Sequence, residues 1–167
     1  NICNKKLNMK YTFLLIYNFL EDYFHLRRIK KFLKTKVFLT NPIIFDIGAH
    51  KGKITRLFFE LYKSAKIYCF EPNNTLHEEI KLNNFKKNLE IYDCALGEKK
   101  KESLISIRDL DLTSSLSKIN KNSFYLKVKE LILGGNINYN KQKIKVTTLD
   151  NFCEVKIVKY NKNTLLF

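Results

Sequence analysis

Nowhere in this chain does an apolar run approach eighteen residues, so no membrane-spanning helix is expected. Cysteine is sparse as well. The four residues, Cys3, Cys69, Cys94 and Cys153, show no CxxC spacing, which excludes a zinc ribbon or a disulfide framework. They read as ordinary thiols of a reducing, cytoplasmic compartment. The three histidines, His25, His50 and His77, form no HExxH-like cluster, so no metal is expected. Arginine is scarce too. Of 31 basic residues only Arg27, Arg28, Arg56 and Arg108 are arginine. The net charge of +15 is therefore carried by lysine, as in the coding bias of an AT-rich genome. Readers of phosphates and bases favour the bidentate arginine fork, so a nucleic-acid partner is not expected.

What is present argues for a folded core. Apolar residues make up 45% of the 167 positions, with thirteen Phe and nine Tyr. That length suits about one domain. "YTFLLIYNFL" runs straight into Glu21-Asp22 without a small-residue cleavage site, so it is not read as a signal peptide. The chain begins with Asn. Met9 as the true start, or a piece of a longer reading frame, are both expectations consistent with that.

Residues 11 to 38 carry apolar positions at Ile16, Phe19, Leu20, Tyr23, Leu26, Ile29, Leu33 and Val37, a helical stripe. One or two helices capping the core are expected there, in preference to a basic helix on a membrane surface. Asn41-Pro42 breaks the segment. "IIFDI" (43–47) then reads as a strand buried on both faces. "KITRLFFELYKSA" has helical spacing at Ile54, Leu57, Phe58 and Leu61. "KIYCFEP" (66–72) is a second strand. "TLHEEIKLNNF" is a second helix, with Thr75 as cap and Glu78 at capping-box distance. "LEIYDCAL" (89–96) is a third strand. Alternating strands and helices point to βαβ units and an open parallel sheet. Further on, "KESLISIR" is a candidate strand, 109–123 reads as loop, 124–133 is ambiguous, Gly134-Gly135-Asn136 is a turn, and "KIKVTTLD" (143–150) alternates as a strand.

Two of the five glycines, Gly48 and Gly52, stand just after Asp46 at the end of the first strand. A glycine turn there, followed by a helix, is a nucleotide-type site. The helix start offers backbone N–H groups to a carboxylate or phosphate. Glu71 ends the second strand, where an acid can accept two hydrogen bonds from a ribose diol. Asp46 beside the turn opposes a pyrophosphate and suits a cationic ligand. S-adenosylmethionine, with its sulfonium and ammonium, has that charge. GxGxxG is lacking, which disfavours an NAD-type half-domain. A non-catalytic interaction or nucleic-acid-binding module, suggested by the charge, is the other alternative.

"IIFDIGAHKGKIT", "CFEPNNTLHEEIKLNN", "CALGEKK", the serines of "LTSSLSK" and "VTTLDNF" follow in an order that resembles FkbM-family S-adenosylmethionine-dependent methyltransferases. The resemblance spans residues 43 to 152. It implies a Rossmann-like methyltransferase sheet (α/β) and methyl transfer to a hydroxyl oxygen of a glycan or secondary metabolite. By position, Asp46, Gly48 and Gly52, with Ala49 and His50 between them, would hold the methionine part of S-adenosylmethionine. Glu71 would hold the ribose, and Asp93, or Cys94 and Ala95, would lie near the adenine. His50 and Asn74 depart mildly from the family pattern. The domain is expected over 41–152, after an N-terminal helical segment (1–40) and before a divergent tail (153–167). In that tail the family's acidic strand is replaced by "NFCEVKIVKYNKNTLLF", which reads as a truncated or frameshifted end. "EVKIVKY" (154–160) is expected to pair in parallel with "IIFDI" as a fourth strand. That would leave Asn161 where the family has an acid, and the chain without turnover.

Overall fold

A computed structural model describes residues 2–83, 87–108, 139–156, 158–159 and 161–167. The chain falls into two compact units. One comprises Asn1–Ile29 with Ile105–Gln142, the other Lys30–Leu104 with Lys143–Phe167. The second unit holds the candidate site.

Its centre is a four-stranded parallel sheet. The strands are β1 (Ile43–Ile47), β2 (Lys66–Phe70), β3 (Leu89–Tyr92) and, near the end of the chain, β7 (Thr164–Leu166), in the order β3-β2-β1-β7. Asp46 pairs with Cys69 in register, and Phe70 with Tyr92. Between them run α2 (Lys53–Leu61), a 3-10 turn (Asn74–Leu76) and α3 (His77–Asn83). The expected "LEIYDCAL" strand divides in two. The chain bends at Asp93, and β4 (Cys94–Leu96) joins a second sheet, order β4-β6-β5, with β5 (Lys101–Arg108) and β6 (Tyr139–Thr147). Strand β6 stops at Thr147, and Leu149-Asp150 open a helix, α4 (Leu149–Lys156).

Side chains alternate across the sheet with the period of two that a strand imposes. Phe45, Tyr68 and Phe70 face one way and meet Phe152 and Cys153 of α4. The Phe152 ring stands edge-on to Phe70 (4.9 Å) and Tyr92 (4.8 Å), the T-shaped geometry aromatic quadrupoles favour. The alternate positions on β1 and β2 are Ile44, Asp46, Ile67 and Cys69, all buried. On that side Thr55 of α2 touches both Asp46 and Cys69. The buried face of α2 is Thr55, Leu57, Phe58 and Phe59.

The N-terminal segment is one long helix, α1 (Ile2–Lys36). Its expected role as a core cap is met at the C-terminal end. Leu33 is 1% exposed, Lys30 pairs with Glu60 at 2.8 Å, and Tyr62 Oη donates to Val37 O. Upstream the expectation is overturned, because Ile16, Phe19, Leu20 and Tyr23 of the same stripe are exposed. Among the described residues no helix is long and apolar enough to cross a membrane.

The fourth strand is where the sheet needs it, beside β1, but another segment supplies it. Residues 154–156 finish α4, whereas Thr164–Leu166 pair with Ile43–Phe45. The lysine and glutamate of "EVK" tolerate the exposed last turn of a helix. "TLL" supplies the apolar residues an interior neighbour requires. The segments expected at 109–123, 124–133 and 134–136, and the serines of "LTSSLSK", lie outside the described residues.

Candidate functional site

The carboxyl ends of β1 and β2 carry the site. After Ile47 the chain turns through Gly48 (φ +80), Ala49, His50 (φ +50) and Gly52 (φ +72) before α2 begins. The left-handed conformation at Gly48 and Gly52 strains any residue with a Cβ, which explains glycine at both. Nothing lies within 4 Å of where a Gly48 Cβ would stand, so the conformation, and not crowding, selects glycine. The turn is fastened to β2, because the Gly48 and Ala49 N–H groups both donate to Phe70 O, at 2.8 and 3.2 Å.

Glu71, 4% exposed, is the second fastening. Its Oε2 accepts from His50 N at 2.9 Å and its Oε1 from Asn73 N at 2.9 Å. One carboxylate thus ties the β1–α2 turn to the β2–α3 turn. Its own N–H donates to Tyr92 O, and its carbonyl lies 2.7 Å from His77 Nε2. Glu71 therefore sits inward, with one backbone donor already on each oxygen. A carboxylate offers about four acceptor directions, so both oxygens keep acceptor capacity for a ligand's hydroxyls.

Asp46 is 3% exposed and accepts a hydrogen bond of 2.5 Å from Thr55 Oγ1. Burial pushes its pKa up to about 6. The Thr55 bond pulls it down, and the neighbouring Glu71 charge pushes it up again. The adjacent Cys69 thiol is raised to about 12, by burial first and the Asp46 charge second, so it is not a nucleophile at neutral pH.

Asp46, Gly48, Ala49, His50, Gly52 and Glu71 are therefore brought to one edge of the sheet. Asp93 follows Tyr92 at the end of β3 on the same edge and is exposed. Ala95 is not at a strand end. It is buried within β4 and paired with Val146 in the second sheet. Asn161 lies on the opposite edge. Its carbonyl and side chain cap the turn that starts β7, and the carbonyl of the turn residue Asn163 accepts from Ile43 N at the start of β1. Asn161 is therefore away from the carboxyl edge, and the expectation of lost turnover loses its structural premise.

Three contributors were missed. Thr55 is the donor to Asp46, and its place on the otherwise apolar buried face of α2 is a usable signal. Asn73, not Thr75, caps the turn before α3, its Oδ1 accepting from Thr75 N at 3.2 Å. The Asn-x-Thr order is the signature of that Asx turn. His77 has no sequence signal, since its contact with Glu71 O depends on how the turn folds. Among the described residues no cluster of His, Cys, Asp and Glu could hold a metal.

Comparison with family models, with curated proteins and with solved structures finds no match for this chain. The resemblance to FkbM-family methyltransferases rests on its motifs.

Proposed function

We propose that the chain holds S-adenosylmethionine at the carboxyl edge of its parallel sheet, in the service of methyl transfer to a hydroxyl oxygen of a glycan or small metabolite. The observation that carries this reading is the pair of buried carboxylates, Asp46 and Glu71, at the ends of adjacent parallel strands, with a glycine turn between them and a helix start. Ligands of open α/β sheets bind outside the carboxyl ends of the strands.

The residues present fit such a cofactor. A buried carboxyl with a pKa near 6 is costly to ionise, and a ligand cation beside it removes that cost. A sulfonium with an ammonium supplies the cation, and a pyrophosphate works against it. The α2 N-terminus, capped by Gly52 without a side-chain hydrogen bond, favours a ligand carboxylate through its partial positive charge. The remaining acceptor directions of Glu71 suit two ribose hydroxyls. Asp93 is exposed at the next strand end, within the region the resemblance assigns to adenine. S-adenosylmethionine, when bound, supplies an electrophilic methyl carbon. The protein's part is to hold it and align the acceptor oxygen.

Isothermal titration of the full chain with S-adenosylmethionine, and separately with NAD, tests the reading. S-adenosylmethionine is expected to bind more tightly above pH 6 than below it, as Asp46 ionises, and NAD not to bind. Binding of NAD in preference, or of neither, overturns it.

A further inference from the structure

One feature of the chain lies outside the sheet-edge site. On α1, Ile16, Phe19, Leu20, Tyr23 and Phe24 are all exposed, Phe19 to 69%. Their spacing of i, i+3, i+4, i+7 and i+8 puts them on one stripe of the helix. Tyr23 and Phe24 meet edge-on at 5.6 Å at the C-terminal end of the stripe. Arg27 continues the same stripe, and Arg28 lies at its margin, both exposed. Helical spacing puts the acids Asp22 and Glu21, three residues from Phe19 and Phe24, at the two margins of the stripe, so cations outnumber acids around it without excluding them. The sequence surrounds the stripe with cations at both ends: Lys5, Lys6 and Lys10 before it, and Lys30, Lys31 and Lys34 after Arg27 and Arg28.

We infer that this face of α1 lies on an anionic lipid bilayer, with the aromatic stripe at the headgroup–acyl boundary and the flanking cations among the headgroups. Exposed aromatic and aliphatic side chains between basic segments suit the headgroup–acyl boundary, although α1 as a whole is only weakly amphipathic, and anionic lipid is the charge complement of the flanks. A second copy of the chain is a poorer occupant. Pairing two such faces in parallel sets Arg27 against Arg27. Antiparallel pairing about the apolar centre sets the Lys10 end against the Lys30 end. Like charges meet either way.

The chain has no tryptophan, so a single substitution gives a background-free reporter. Phe19→Trp in the full-length protein is mixed with vesicles of pure phosphatidylcholine, or of phosphatidylcholine with phosphatidylserine, some carrying brominated acyl chains. Phe38→Trp is the control, since Phe38 is exposed outside any helix or strand. The indole emission of the Phe19→Trp variant is expected to shift to the blue and be quenched by brominated chains only with anionic vesicles, while the Phe38→Trp reporter stays unchanged. Arg27→Glu/Arg28→Glu is expected to weaken partitioning by about fivefold or more per residue. Circular dichroism melts confirm that each variant is folded. Vesicle binding without a shift or quenching at position 19 overturns the inference, since charge alone would then account for it. Equal responses at 19 and 38 overturn it too, as does a dimer in sedimentation that Phe19→Ser dissociates.

Discussion

Asp46→Asn isolates the electrostatic state of the site, because it keeps the side chain's shape and its acceptor for Thr55 Oγ1 while removing the ionisable group. In the folded protein the carboxyl titrates near 6, against 3.8 for an ordinary aspartate. Between those values the folded state holds more proton than the unfolded one. Stability from this group is therefore complete below pH 3.8 and is lost as pH rises through 6. The gap is about two pKa units. At roughly 1.36 kcal/mol per unit, the ionised form costs the fold about 3 kcal/mol at neutral pH.

The whole protein's pH curve is a blend, so the measurement must be a difference. Glu90 is lowered, first by its hydrogen bond from Tyr92, and loses stability in the opposite direction as pH falls. That contribution is common to wild type and variant and cancels. Urea unfolding followed by far-ultraviolet circular dichroism at about pH 4 and about pH 7.5 gives the four free energies needed. The Asn variant should gain about 2 kcal/mol relative to wild type between the two pH values, because at pH 4 the unfolded carboxyl is already about half ionised. A difference that does not change with pH refutes the account of Asp46, and so does a variant that loses ground at the higher pH.

Thr55→Val deletes the hydroxyl that holds Asp46 and leaves a buried acceptor short of a donor. It should cost about 1–3 kcal/mol in urea unfolding and extend the pH-dependent loss of stability to higher pH. Phe152→Ala removes the ring that joins α4 to Phe45, Phe70 and Tyr92, at about 3–5 kcal/mol in the same assay.

The part of the fold that could be read from the residues is the part dictated by local pattern. "IIFDI" and "KIYCF" are short, mostly apolar runs between breakers, and both are strands of the sheet centre. The glycine turn was legible because positive φ leaves glycine as the unstrained choice. The bend at Asp93 was not legible, because "LEIYDCAL" is uniformly strand-like and only the second sheet's pairing decides where it divides. The fourth strand illustrates the same limit. "EVKIVKY" alternates better than "TLL", but α4, which packs Phe152 and Cys153 on the sheet, runs to Lys156 and consumes the start of the candidate. Glu71 was placed correctly at the strand end, but its partners were not foreseen. Bonds to His50 N and Asn73 N join two turns that the sequence separates by more than twenty residues.

Those two bonds change how the ribose role of Glu71 must be tested. Glu71→Ala would free both backbone donors and let the glycine turn move, so lost binding would not distinguish a collapsed turn from a missing ligand contact. Glu71→Gln is no cleaner. Its amide nitrogen cannot accept, so one of the two N–H groups faces another donor and is orphaned, at about 1–3 kcal/mol. The informative change is in the ligand, with the wild-type protein left intact. If Glu71 accepts from ribose hydroxyls, 2′-deoxy and 3′-deoxy forms of S-adenosylmethionine each lose one hydrogen bond to a charged group. That bond is worth about 1.5–3 kcal/mol, so each deoxy ligand should bind at least about tenfold more weakly in calorimetric titration. Equal affinities for all three ligands would leave Glu71 as a clamp between two turns and remove it from cofactor recognition, while leaving Asp46 and the glycine turn as the remaining basis for binding.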